Sequence, residues 1–212
     1  MKLKQYNLHK IISIIFRIIT IIVIVGNILT QNWFNLFVSL LTLSMTYLPF
    51  IVAQRKHIHI PIDFQIIISF FLFASLYLGE LKEYYLKFWW WDLMLHTLSG
   101  IILGFIGFIL VYFLNNEEQI DVILSPLFIA IFSFTFAVAT GGLWEIFEFT
   151  MDSTLGLNMQ KSGLVDTMWD LIVDSLGALI TSFIGCLYLK IDGGPYFKRL
   201  VKRIADDNSI NN

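Results

Sequence analysis

The sequence predicts an all-α integral membrane protein, a polytopic bundle of six transmembrane helices with both termini cytoplasmic. Three observations predict it. Of 212 residues, 57% are hydrophobic and 14% are charged, against about 25% charged in an ordinary soluble domain, and the mean hydropathy is +0.75. Six apolar segments are long enough, or nearly so, to cross a hydrocarbon core that needs about 20 residues. These segments are continuous rather than alternating, unlike the strands of a membrane barrel. A lipid-embedded segment must satisfy its own backbone, so each is expected to be a helix. Residues 1–212 read as a single integral membrane domain.

The first span, Ile11–Leu29, follows the basic stretch MKLKQYNLHK. Arg17 interrupts it and no small-x-small cleavage site follows, so it reads as a retained span rather than a signal peptide. Arg17 is expected to snorkel to the headgroups, with Asp63 as the alternative partner. The second span, Trp33–Ala53, leads into a basic loop with Arg55 and Lys56, where His57 and His59 read as solvated interfacial residues. The third, Ile62–Leu78, has Pro61 in its first turn, where the missing N–H is harmless. The fourth, Phe88–Leu114, opens on Trp89, Trp90 and Trp91 as an interfacial aromatic belt would. Its Gly100, Gly104 and Gly107 permit close helix contact, so this span is expected at the centre of the bundle. The fifth and sixth are Ile123–Phe147 and Thr167–Leu189. The polar loop Ser153–Val165 is expected over the outer mouth of spans four to six. No internal repeat is evident, which weighs against an inverted-repeat transporter.

Basic residues set the orientation. Lys2, Lys4, Lys10, Arg55, Lys56, Lys190, Lys198, Arg199, Lys202 and Arg203 fall on one side of this topology, and Lys82, Lys87 and Lys161 on the other. Positive residues stay cytoplasmic, which places both termini inside. The lone Cys186 excludes an internal disulfide and a multi-cysteine metal site. No nucleic-acid signature is present, and the run Lys198–Arg203 reads as a membrane-flanking anchor. The lipid bilayer is the expected partner; substrate and protein partners stay open.

The chemistry-bearing residues lie at the outward ends of spans four to six, with Glu80 and Glu83 just upstream. Ionisable groups in or beside a bilayer are costly and mark function by default. Asp92 and His96, four apart, share a helix face; the bland reading is an interfacial histidine hydrogen-bonded to Asp92. Glu145, Glu148 and Asp152 form a second stripe, which an amphipathic helix end emerging into water would also produce. Asp166, Asp170 and Asp174 form a third. Asp166 and Asp170 suit the N-terminal end of the helix dipole, but Asp174 lies roughly 12 Å along the helix from Asp166. A buried carboxylate there must be protonated, paired or metal-bound. Ser99 shares the face of Asp92 and His96, yet one helix rarely supplies a nucleophile's geometry and no oxyanion hole is evident.

Two chemistries fit the cluster. Asp92, His96, Glu145, Glu148, Asp166, Asp170 and Asp174 can bind a divalent metal, with Zn, Mn, Fe or Mg suiting one histidine plus carboxylates better than Cu(I). The same groups can bind and relay protons. His96, Glu145 and Asp170 are the catalytic candidates. Three functions follow. The chain is a metal-dependent enzyme or binding protein for lipid or envelope substrates; a proton- or cation-coupled transporter using Asp174 and Glu145; or a non-catalytic membrane assembly factor.

The combination Asp92-x-x-x-His96-x-x-x-Gly100, Glu145-x-x-Glu148, Gln160, Asp166-Thr167-x-Trp169-Asp170 and Gly177-Ala178 resembles the DUF2238, or YjdF-like, family of bacterial inner-membrane proteins. The resemblance implies a multi-pass protein of the bacterial plasma membrane and supplies no activity. A looser similarity is to VanZ-like membrane proteins, mapping onto His96, Glu145 or Glu148, and Asp166 or Asp170 ahead of Gly177-Ala178. Those proteins are associated with glycopeptide-antibiotic tolerance at the envelope. This chain departs from them in its extra spans and in Glu148, where they tend to carry glutamine.

Overall fold

The computed structural model describes residues 2–47, 62–115 and 124–191. All of the regular structure among them is helical: α1 (Lys2–Leu29), α2 (Trp33–Met45), α3 (Ile62–Leu72), a π-helical continuation of α3 (Phe73–Leu81), α4 (Tyr84–Lys87), α5 (Trp91–Asn115), α6 (Pro126–Leu155) and α7 (Leu164–Ile191). Three of these helices are long and apolar enough to cross a membrane, over Trp91–Tyr112, Pro126–Leu155 and Leu164–Lys190; shorter apolar stretches run over Ile14–Leu29, Asn35–Ser44 and Ile66–Leu81. The expected second span continues past the described residues at its C-terminal end. Pro61, the basic loop with His57 and His59, and the Lys198–Arg203 run also lie outside them, as does the side chain of Asp63. The described chain falls into two compact units, which divide between Trp91 and Asp92.

In the first unit, α1 and α2 form an antiparallel hairpin. Asn32 caps α2 by accepting the Asn35 N–H at 3.2 Å, and a short polar side chain is favoured at that position because it satisfies an orphan donor. Asn27 donates to Ser39 across the hairpin at 2.9 Å. At the far end, Arg17 donates to the Thr46 hydroxyl and carbonyl, each at 3.3 Å, and its guanidinium lies 3.8 Å over the Tyr47 ring. Arg17 thus holds the C-terminal end of α2, where freed carbonyls and the helix dipole favour a cation. Phe16 stacks on Phe73 of the π-helical stretch with centroids 4.3 Å apart. Glu83 adopts a left-handed conformation, φ 60°, ahead of the single turn of α4 and pairs with Lys87 at 3.4 Å on an exposed surface. The tryptophan run divides: Trp89 and Trp90 face outward, while Trp91 is buried edge-on to Tyr84. Only part of the run therefore serves as an exposed aromatic belt.

The second unit is a three-helix bundle of α5, α6 and α7. Ser125 accepts the Phe128 N–H at 3.2 Å and Pro126 occupies the first turn of α6, a pairing of cap and proline that starts helices well. Gly156, with φ 66°, ends α6 in the left-handed conformation that glycine adopts without strain. Glycines bring the helices together. A Cβ on Gly100 would strike the Asp174 carbonyl, and one on Gly177 the Thr97 carbonyl, so α5 and α7 touch backbone to backbone. A Cβ on Gly107 would meet Ser133 of α6 at 3.1 Å. Ser133 donates to the Gly104 carbonyl and Ser182 to Ser133 at 3.1 Å. Small residues and hydroxyls of this kind drive helix association where lipid removes the hydrophobic force. Phe108, Val111 and Ile129 form the apolar core at the end away from the carboxylates. Within its candidate span 44% of α5 is buried, against 28% and 33% for α6 and α7, so α5 is the central helix of this unit, with Gly104 and His96 inward as expected. Large apolar side chains such as Phe128, Ile131, Phe147, Ile172 and Phe183 point outward, and helices apolar on their outer faces as well suit a membrane.

Candidate functional site

The N-terminal ends of α5 and α7 and the C-terminal part of α6 meet at one end of the three-helix bundle, and the ionisable residues gather there. His96 comes from α5, Glu145 from α6, and Asp170 and Asp174 from α7. All four are nearly fully buried, at 8%, 4%, 2% and 2% exposure. The four-residue spacing of Asp166, Asp170 and Asp174 puts all three on the face of α7 that turns toward α5 and α6.

His96 is oriented through its Nδ1, which lies 3.1 Å from Asp174 Oδ2. The Ser99 hydroxyl donates to the other oxygen of Asp174. Gly141 lets α6 close on the same carboxylate, since a Cβ there would sit 2.6 Å from Asp174 Oδ2. Asp174 is therefore enclosed by both neighbouring helices, α5 and α6. With Nδ1 engaged, Nε2 faces Asp92 at 3.8 Å, Glu145 at 3.9 Å and Asp170 at 3.9 Å. These separations exceed a hydrogen bond, so the histidine is not hydrogen-bonded to Asp92. The Ser-His-Asp reading fails as well. Ser99 directs its hydroxyl to Asp174 and the His96 carbonyl, so the imidazole does not activate it.

Both oxygens of Glu145 are buried without a hydrogen-bond partner. The Thr167 hydroxyl stands beside Glu145 and accepts from Gln160 Nε2 at 2.6 Å. An unsatisfied buried carboxylate is among the more expensive features a fold can carry. Ligand atoms of His96, Glu145 and Asp170 all lie within 4.8 Å of one another, and so do those of Asp92, Asp166 and Asp170. Asp170 thus belongs to two triads, one fully buried and one partly so.

The α6–α7 loop closes over this end. Asp152 accepts the backbone N–H groups of Met159 and Gln160 at 2.8 and 2.9 Å, and Gly163, with φ 63°, turns the chain into α7. Held this way, the loop sends the Lys161 ammonium onto Asp92, while the Lys161 N–H donates to Asp166 at 3.1 Å. Glu148 stands outside both triads and accepts from Trp144 Nε1 at 3.0 Å. Glu80 and Glu83 belong to the first unit. The residues that the sequence did not single out are Lys161 as an ion-pair partner, and Gly141 and Thr167 beside the carboxylates. The signal available for Lys161 was its place as the lone cation in a short loop between two acidic helix ends.

The family described as predicted membrane protein (DUF2238) matches residues 9–191. An uncharacterised protein of Thermotoga maritima is 30% identical over 130 residues, a match covering 61% of this chain and 65% of that protein. No solved structure matches the chain. The looser likeness to VanZ-like proteins gains no support from these matches.

Proposed function

This chain belongs to the DUF2238 family of predicted membrane proteins, and on that premise we propose that it is a multi-pass protein of the bacterial plasma membrane that holds a divalent metal ion between α5, α6 and α7. In this reading the chain crosses the bilayer six times with both termini cytoplasmic. The basic residues on the terminal side support that topology, and it puts the carboxylate site at the outward surface. Reporter fusions at the two termini test it; an external signal from either overturns it.

One observation carries the metal reading: the Glu145 carboxylate is buried, unpartnered and turned toward the free edge of His96. Two ligands about 2.0–2.2 Å from one ion stand roughly 3–4 Å apart, which the 3.9 Å spacings of Glu145 and Asp170 from His96 Nε2 match. A second carboxylate on Nδ1 is the outer arrangement that orients metal-binding histidines. His96, Glu145 and Asp170 are the ligands in this reading. Asp174 orients His96, and Ser99 and Gly141 fix Asp174. The donor set suits Zn, Mn, Fe or Mg. Such an ion would polarise a substrate oxygen or activate water, and the outward, membrane-level position of the site suits lipid or envelope substrates.

Elemental analysis of detergent-purified protein tests the reading. About one ion per chain is expected in the wild type, lost in His96→Ala and in Asp170→Asn. A metal-free wild type overturns it and leaves the same carboxylates as a proton-binding cluster, in which Asp174 and Glu145 would couple transport. Should the same substitutions leave cellular function intact while changes in the 156–163 loop abolish it, the chain acts as a non-catalytic assembly factor.

A further inference from the structure

We propose that the centre has a second cation subsite, Asp92–Asp166–Asp170, and that Lys161 guards it as a tethered counter-cation, with its ammonium on Asp92 and its backbone N–H on Asp166. The proposal rests on the metal reading above and extends it. The two triads share Asp170, an arrangement in which one carboxylate bridges two adjacent ions, typically about 3.5–4 Å apart. Only the first triad offers an unengaged face, where Glu145 is 4% exposed and unpartnered. In the second, both outer carboxylates are held by one residue. The Lys161 ammonium pairs with Asp92, whose side chain is 18% exposed, and the Lys161 amide donates to Asp166.

The loop geometry makes this placement specific. Asp152 fixes the two residues before Lys161, and Gln160 is tied to Thr167 on α7. Lysine therefore arrives at Asp92 from a structured loop rather than as a free surface side chain. Asp92, Glu145, Asp166, Asp170 and Asp174 crowd one helix-bundle end, and like carboxylates at this density need a cation among them. One divalent ion in the buried triad leaves the outer pair uncompensated. A covalently attached ammonium supplies that charge and keeps a second ion out. Losing the lysine charge opens a site for a divalent cation with three oxygen ligands, a set that suits Mg²⁺ or Mn²⁺.

The test is metal stoichiometry after loading detergent-purified protein with Mn²⁺ and removing excess ion. The wild type and Lys161→Arg are expected to hold about one ion per chain, and Lys161→Met about two. Adding Asp166→Asn to Lys161→Met is expected to return the count to about one. Lys161→Gln provides an uncharged variant that keeps polarity, should Lys161→Met fail to elute as a single species. Electron paramagnetic resonance gives a readout on the wild type itself: an isolated Mn²⁺ spectrum is expected, and a spin-coupled pair overturns the proposal. One ion in both uncharged variants also overturns it and leaves the metal reading standing. A wild type and variants that all lack metal remove both.

Discussion

Gly141→Ala tests whether Asp174 orients His96. The added methyl would sit 2.6 Å from Asp174 Oδ2, and ordinary contact begins at 3.4 Å, so the carboxylate must give by about 0.8 Å. It is tied on one oxygen to Ser99 and on the other to His96 Nδ1 at 3.1 Å. A displacement of that size takes the His96 bond beyond hydrogen-bond range or turns the ring with it. Loss of such an outer contact typically lowers metal affinity about 10–100-fold. The fold itself is expected to change little. Overpacking costs about 1–3 kcal/mol, and replacing a helical glycine by alanine returns up to about 1 kcal/mol. Gly142→Ala is the internal control, because a Cβ at the adjacent position meets nothing within 4 Å; its affinity should match wild type and its stability should equal or exceed it. The assay is competition of the purified proteins against a metal-binding dye, alongside thermal unfolding. Equal affinities for Gly141→Ala and Gly142→Ala would refute the orienting role of Asp174.

Glu145→Gln is expected to lower metal affinity by 100-fold or more, roughly 2.7 kcal/mol, while raising the melting temperature of chelator-treated protein, since a buried unpaired carboxylate is removed; a lower melting temperature would mean that Glu145 has a partner. Gly100→Ala, whose Cβ would fall on the Asp174 backbone carbonyl, should destabilise the bundle by about 1–3 kcal/mol, because backbone yields less readily than the tip of a side chain; denaturation in mixed micelles reads this, and an unchanged midpoint would contradict the α5–α7 contact. Asp152→Ala removes two acceptors of backbone N–H groups, so amide exchange at Met159 and Gln160 should accelerate roughly tenfold or more; unaltered exchange would show that the loop is held by other means.

Much of the architecture was legible because the membrane imposes few solutions. Continuous apolar runs gave the helices, and Gly100, Gly104, Gly107 and His96 together pointed to α5 as the most buried helix of its unit. Helix ends were less so. The last two turns of α6 run past Phe147 to Leu155 because polar residues such as Asp152 stay helical when they cap a loop, and hydropathy does not see a cap. The site's membership was legible for a related reason: residues spaced by four share a face, so the stripes of α5, α6 and α7 could be drawn in advance. Roles within it were not. Asp170 and Asp174 have the same spacing and chemistry, and they part only because Gly141 and Ser99 close on Asp174 while Glu145 and His96 Nε2 face Asp170. Glu148 belonged to its stripe, yet its carboxylate is taken by Trp144, one turn back on the same helix. Lys161 was read for its side of the membrane, and its pairing with Asp92, 69 positions away in the chain, depends on a loop conformation that no periodicity encodes.

The four buried polar groups at the centre come from three different helices, with His96 on the first, Glu145 on the next and Asp170 and Asp174 on the last. Helices enter a membrane in chain order, so the cluster cannot be complete until α7 has followed α5 and α6 out of the insertion machinery. During synthesis the protein must carry His96 and Glu145 through a stage at which neither has its final neighbours. An ion captured there would be a mark of completed biogenesis, and a chain truncated ahead of α7 should reach the bilayer unloaded, distinguishable from the finished protein by its metal content alone.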